Sequence, residues 1–192
     1  MRRCHIARRS ACLERVPEGL GERFHLMHEF TTDILQIRFV DNQDGLRLLK
    51  SLFLQDEIQS DVARTEWLYD SAWLTLAAAL ALTGSQLLDM DPTEIAVIVR
   101  RVTDEGVLGG REIILYDTTA GGAGYARQLG GRMGELFDAA STRLASCDCQ
   151  DSCYACLRTY HNQLIHSRLH RKRISEGLSN FTAVNFNVSV NA

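Results

Sequence analysis

Four cysteines, Cys147, Cys149, Cys153 and Cys156, lie within ten residues late in this chain, in the pattern CxCxxxCxxC. No other feature narrows the fold as much. Two short loops with that spacing can wrap one ion so that all four sulfurs sit about 2.3 Å from it in a tetrahedron, the closed geometry of structural zinc. A closed site leaves no position for water, so the metal holds a shape rather than performing chemistry. The ion and its four thiolates together are negative, and backbone amides and a nearby cation such as Arg158 are expected to steady them. Thiolates alone do not separate zinc from iron, so an iron–sulfur cluster stays as the competing occupant. His161, five residues past Cys156, is an alternative to one of the thiolates. Four metal-free structural cysteines fit less well, because such thiols behave as buried apolar groups and the small polar neighbours here offer little core.

The rest of the composition excludes several classes. With 192 residues, 45% hydrophobic and 23% charged, the chain has the profile of one globular domain rather than a collagen-like or disordered protein. At this size folding buries roughly 70% of the unfolded surface, so a core forms without disulfide staples. The longest apolar run, 72–82, is broken only by Thr75 and falls short of the ~18 residues that suggest a bilayer span. It reads as a buried helix, with no membrane partner. Arg2, Arg3, Arg8 and Arg9 resemble a charged leader, but no continuous apolar segment follows them. A cytoplasmic, reducing compartment is therefore expected, in which clustered cysteines are ligands rather than disulfides.

The apolar pattern changes period along the chain. Residues 1–22 lack periodicity and read as an irregular lead-in, while 24–40 alternates with Leu35, Ile37 and Phe39 on one face, the mark of a strand. A helix is expected over 44–58 behind Asp44, and a firmer one over 61–83, rich in alanine and leucine and stopped by a left-handed Gly84. The β-branched run 95–99, introduced by a turn at Asp91, Pro92, Thr93 and Glu94, pairs with a strand at 112–116 across a loop at 103–110, which predicts an antiparallel hairpin. Ala126, Leu129, Met133, Leu136, Phe137, Ala140 and Leu144 then step by three and four, a helical face with a break expected near Gly130. Leu157, Tyr160 and Leu164 suggest another helix, and 184–190 reads as an edge strand or a disordered end. The fold class that follows is α+β, a mixed or antiparallel sheet packed against helices with a C-terminal four-cysteine zinc site. Its expected divisions are a lead-in at 1–22, a zinc-binding domain at 23–178 and a tail at 179–192.

Between the second hairpin strand and the next helix stands a glycine turn with Gly121, Gly122 and Gly124, whose amides form a candidate anion-binding site. The ATP-binding pattern GxxxxGK fails there for want of a lysine, and the dinucleotide fingerprint GxGxxG fails because Arg127 stands where the third glycine should be. A tight turn that packs a helix onto the sheet is the plainer reading. Arg158, Arg168, Arg171, Lys172 and Arg173 form a basic stretch after the cysteines, a candidate nucleic-acid surface. A solvated helix end explains the same charges.

Taken in order, three segments are similar to the MrfA-like zinc-binding domain of superfamily 2 DNA helicases and of helicase-associated phage-defence proteins of the DISARM type. They are His28 through Leu35; Leu115, Tyr116 and Asp117 through Gly124; and the four cysteines followed by Leu157, Tyr160, Asn162, Gln163, His166 and Leu169. The resemblance covers about residues 25–175 and implies zinc on the four cysteines, together with service in DNA repair or defence beside a helicase motor in cis or in trans. His170 and Arg171 stand where the family usually has aspartate and arginine, so any role of that acid does not carry over.

Neither a Walker A motif nor a DExH box occurs, so ATPase activity is not implied and the chain is not expected to be an enzyme. Three functional expectations follow: a non-catalytic accessory domain of a helicase or DNA-processing complex that touches nucleic acid, protein or both; a protein-interaction module, or a fragment of a longer helicase without independent activity; and a nuclease or hydrolase built from Asp33, Asp117, His28 and His166. The last lacks a nucleophile with a paired base at recognisable spacing.

Overall fold

The computed structural model describes residues 4–6, 28–40, 62–103, 107–172, 174 and 189–191. Its centre is a four-stranded sheet in which every neighbouring pair is antiparallel. The strands are β3 (Ile34–Val40), β4 (Ile95–Arg101), β5 (Val107–Asp117) and β6 (Ser189–Asn191), in the order β4-β5-β3-β6. A separate ribbon pairs β1 (Cys4–Ile6) with β2 (His28–Phe30). The lead-in thus contains a strand that its sequence pattern did not signal. The expected strand over 24–40 is two strands, interrupted at Thr31, Thr32 and Asp33.

The hairpin forms as expected, with Ile95 opposite Asp117 and Arg101 opposite Arg111. Its turn follows from side-chain chemistry: Asp91 Oδ1 accepts from the Thr93 amide at 2.8 Å and from its hydroxyl at 2.6 Å, which closes an Asx turn rather than a helix cap. β5 starts earlier than expected, inside the segment read as a loop, because Val107 pairs with Val40 of β3 beyond a register shift between Arg38 and Val40. The expected helix over 44–58 lies outside the described residues.

One face of the sheet, with Leu35, Ile37, Ile95, Ile113 and Leu115, is buried under the long helix α1 (Val62–Leu87). α1 in turn is covered by α3 (Met133–Ala145), which contributes Leu136, Phe137, Ala140 and Leu144. A helix buried from two sides has no polar stripe to keep, which is why every position from Ala72 to Leu80 except Leu74 and Thr75 is a core hydrophobic. Thr75 is tolerated there because its hydroxyl donates to the Ser71 carbonyl at 2.8 Å.

Gly84 does not end α1. It sits inside the helix, where a Cβ would come within 2.8 Å of Leu129 Cδ1, so the missing side chain serves close packing of α2 (Tyr125–Gly130). The left-handed residue is Asp89, with φ 52°, and the Met90 amide closes the helix end on the Ser85 carbonyl at 2.9 Å. The break expected near Gly130 is present between α2 and α3.

On the opposite face of β5, Glu112 is fully buried. Gln36 Nε2, Arg38 Nε and Arg100 Nε each donate to its carboxylate at 2.6 Å. Burial pushes this carboxyl up, but those bonds from Arg38, Gln36 and Arg100 outweigh it and hold the group below its usual range.

Candidate metal centre

α3 ends at Ala145, and the chain turns at once into the cysteine segment. The Cys153 carbonyl accepts the amides of Cys156 at 3.2 Å, Leu157 at 3.0 Å and Arg158 at 2.9 Å, a tight turn that brings the last two thiols together. Cys153 and Cys156 sulfurs lie 3.7 Å apart, Cys147 and Cys153 3.5 Å, and Cys149 and Cys156 3.6 Å. All four sulfurs lie within 4.8 Å of one another. A tetrahedron with bonds of about 2.3 Å has edges of about 3.8 Å, so the donor set fits a single metal ion. Among the described residues these four cysteines make up the group suited to a metal.

Burial pushes the Cys156 thiol up to about 12 and that of Cys149 upward as well. Burial acts the same way on Cys153, yet hydrogen bonding with Cys147 and with the amides of Ala155 and Cys156 draws it down to about 7. A bound metal favours the thiolate and would displace the protons that burial retains on Cys149 and Cys156.

Two arginines brace the loops. Arg143 Nε donates to the Cys156 carbonyl at 2.6 Å and its Nη1 to Gln86 Oε1 at 2.7 Å, which joins the second loop to the end of α1. Arg171 Nε donates to the Cys149 carbonyl at 2.6 Å and its Nη1 to the Leu144 carbonyl at 3.0 Å. Arg158, expected beside the sulfurs, instead donates to Ser152 Oγ at 3.0 Å. Arg143, read from the sequence as one of the basic residues between 143 and 173, carries a legible signal for this bracing role: four residues before Cys147, it lies one helical turn back from the first cysteine.

The basic stretch is not one surface. Arg171 departs from that expectation, because it is buried and its Nε and Nη1 are spent on the Cys149 and Leu144 carbonyls that the short loops leave free. Arg168 lies 3.7 Å from Asp70, Lys172 is exposed, and Arg173 lies outside the described residues. Beyond the cysteines the expected helix is a 3₁₀ segment, Tyr160–Arg168, that buries none of its side chains. Leu157 before it is fully buried, whereas Tyr160 and Leu164 are 77% and 98% exposed. A capping box between Thr159 and Asn162 and a 2.8 Å bond between Asn162 Oδ1 and His166 Nε2 hold its shape. His161 stacks edge-on against Tyr160 and does not join the sulfurs.

The glycine turn also departs from expectation. Gly121, Gly122 and Gly124 have φ of 90°, 78° and 83°, and a Cβ at Gly122 would meet Asp33 Oδ2 at 2.8 Å. Buried Asp117 fills the turn: its Oδ2 accepts the amides of Ala123 at 2.7 Å and Tyr125 at 3.1 Å, and its Oδ1 that of Ala126 at 2.8 Å. Gly121 and Gly122 donate to the Thr31 and Thr119 carbonyls. The chain's own carboxylate thus occupies the place proposed for an external anion. Asp33 pairs with Arg127 at 2.9 Å and His166 with Asn162, so these members of the hydrolase set are each engaged locally.

Residues 76–157 match the family model described as MZB, the MrfA Zn-binding domain. The Druantia protein DruE of Escherichia coli (strain UMEA 4076-1) is 35% identical over 161 residues, which is 82% of this chain and 8% of that protein. The chain therefore spans less than a tenth of the length of this curated relative. The crystal structure of the DUF1998 helicase MrfA bound to DNA is 20% identical, with a TM-score of 0.49, and the match covers 83% of this chain and 18% of that one. The same helicase bound to DNA and AMPPNP is 22% identical, with a TM-score of 0.42 over 56% of this chain and 14% of that one. No described helix is long and apolar enough to cross a membrane.

Proposed function

We propose that this chain, which carries an MrfA-like zinc-binding domain, is a non-catalytic accessory module of a helicase-type DNA repair or phage-defence system, held in shape by zinc on Cys147, Cys149, Cys153 and Cys156. The observation that carries this reading is the sulfur geometry. Four thiols within 4.8 Å of one another suit one ion and saturate it, leaving no position for a substrate or an activated water. An iron–sulfur cluster spreads its thiolates over several irons and favours a wider separation. The bound ion supplies a cross-link between the end of α3 and the 3₁₀ segment. The chain's own residues do the rest, Arg143 and Arg171 fixing the loop carbonyls while Arg158, Arg168 and Lys172 supply positive charge toward nucleic acid.

The motor stands in cis or in trans, and its contact is a second reading favoured by a separate observation. Tyr154 in the cysteine loops and Tyr160 and Leu164 on the 3₁₀ segment are 66%, 77% and 98% exposed, apolar side chains suited to docking a protein. Fluorescence anisotropy of the zinc-loaded chain with single-stranded and duplex DNA tests the leading reading. Binding that weakens steeply with salt is expected. Absence of binding at low salt, with co-purification of a helicase, would replace it by the docking reading.

A further inference from the structure

Tyr154 and Tyr160 are exposed, although an aromatic side chain gains most from burial. Each ring nonetheless has a fixed neighbour. Tyr154 meets the His166 ring edge-on, with centroids 5.6 Å apart and planes at 88°, and Tyr160 meets His161 in the same way at 5.6 Å and 87°. A ring with one edge-on neighbour keeps at least one face open to a planar ligand.

The imidazole beside Tyr154 is itself oriented. His166 Nε2 lies 2.8 Å from Asn162 Oδ1 and 3.1 Å from the Thr159 carbonyl, and because both are acceptors the ring carries a proton on Nε2 and donates to them. Asn162 is fixed in turn, accepting the Thr159 amide at 2.8 Å and donating from Nδ2 to the Leu157 carbonyl at 2.8 Å. Leu157 is fully buried, so this chain of bonds ties the exposed tyrosine to the core.

The side chains around the two rings are polar or basic. From Ser152 to Ser175 the sequence has no aspartate or glutamate. Arg158 stands between the tyrosines in sequence, and its Nε donates to the neutral Ser152 hydroxyl at 3.0 Å, a bond that leaves its charge uncancelled. His161 and Gln163 are exposed on the same segment. Asp91 acts on His161 and Asp151 lies 3.4 Å from His170 Nδ1, so these two acids face imidazoles and not Arg158.

We propose that Tyr154 and Tyr160 are stacking platforms for the bases of single-stranded DNA, with Arg158 as the contact to its backbone. The platform rests on the nucleic-acid reading given above and names the form of DNA and the residues that hold it. Stacking accepts any base, because every base presents a π-face, and the backbone alongside it calls for a cation. A duplex keeps those faces stacked on one another, so the rings favour an unpaired strand. Exposed Leu164 on the same segment would suit a protein surface equally, but rings interleaved with His161, Gln163 and Arg158 and free of carboxylates suit bases better, since those side chains also hydrogen-bond base edges.

The test is fluorescence anisotropy of the zinc-loaded full chain with a labelled single-stranded DNA oligonucleotide and with its duplex, with zinc content and circular dichroism measured on every variant. The single strand is expected to bind more tightly. Tyr154→Ala and Tyr160→Ala are each expected to weaken single-strand binding about tenfold without changing the slope of log affinity against log salt. Tyr160→Phe is expected to keep wild-type affinity, because the ring and not the hydroxyl stacks. Arg158→Gln is expected to lower the salt slope by about 0.7, the value for one phosphate of a single strand. Tyr160, outside the cysteine loops, keeps the test valid if Tyr154→Ala costs the metal. Unchanged affinity in Tyr160→Ala, or equal affinity for strand and duplex, would overturn the platform while leaving nucleic-acid binding intact. No binding by the wild type would overturn both. Loss of helicase co-purification in the alanine variants with strand binding untouched would assign these side chains to a protein partner and overturn the platform as well.

Discussion

Asp117 shows how one side chain decides the use of a whole turn. Its two oxygens take three amides at the start of α2, so the substitution Asp117→Asn turns an NH2 group toward an N–H that has no other partner. The expected loss is about 2 kcal/mol, read as a lower urea midpoint at unchanged slope. Glu112 makes the complementary case, a buried carboxylate satisfied by side chains. Because its folded-state value lies below that of the unfolded chain, its contribution is fully present above the usual glutamate range near pH ~4.3 and is lost as pH falls through the lower folded value. Glu112→Gln is expected to cost about 2 kcal/mol at neutral pH, less than a wholly buried pair because Arg38 and Arg100 are partly solvated, and the gap to wild type should narrow in acid. Unfolding curves at neutral and acidic pH check both statements; a gap that widened in acid would contradict them. At this scale the sequence displayed the ligands but not their supports. Four cysteines at short spacing announce themselves, whereas Arg171 looked like one more basic residue because nothing local says that its fork ends on the Cys149 and Leu144 carbonyls.

Among the elements, those with strong local patterns were legible. The 95–99 run, the strand around Ile113 and the period of α3 all reflect burial on one face or both, and burial is what hydrophobic patterning records. Gly84 misled because glycine serves two purposes, a left-handed stop or close packing, and the choice depends on Leu129 forty-five residues further on. The segment Tyr160–Arg168 misled for another reason: its apolar residues match helical spacing, yet Tyr160 and Leu164 face solvent while Leu157 and Leu169 at its borders enter the core. The knuckle and this segment act as one element, tied to α1 by the His170 amide on Thr75 and to the loops by Arg171. Removal of the metal by a chelator is therefore expected to raise hydrogen exchange at Leu157, Arg158, Leu169 and Arg171 while Ile113 to Leu115 in β5 stay protected. Uniform loss of protection across the sheet would mean that the ion supports the entire fold and not this element alone.

In the molecule as a whole, a sheet, a central helix and an outer helix make one core, and the cysteine loops cap the edge where α1 and α3 end. The α+β class and an antiparallel sheet with a four-cysteine cluster were readable, since class follows from the succession of periods along the chain. Strand order was not, because the pairing of β3 with β5 joins residues far apart in the chain, from Ile34 with Tyr116 to Val40 with Val107, and leaves no local trace. The domain limits at 23 and 178 remain a proposal; the family match spans 76–157, from within α1 to one residue past the last cysteine. The ion pairs of Arg101, Arg111 and Arg168 with Asp70 were equally hidden, being assembled from α1, both strands of the hairpin and the segment after the knuckle. Everything proposed for the function depends on a single ion joining those parts. X-ray absorption at the zinc edge, with metal content measured on the same purified chain, tests that most directly. The account predicts one zinc per chain surrounded by four sulfurs at about 2.3 Å. Iron with neighbouring irons, oxygen or nitrogen in place of sulfur, or a chain that folds and binds with no metal would contradict it.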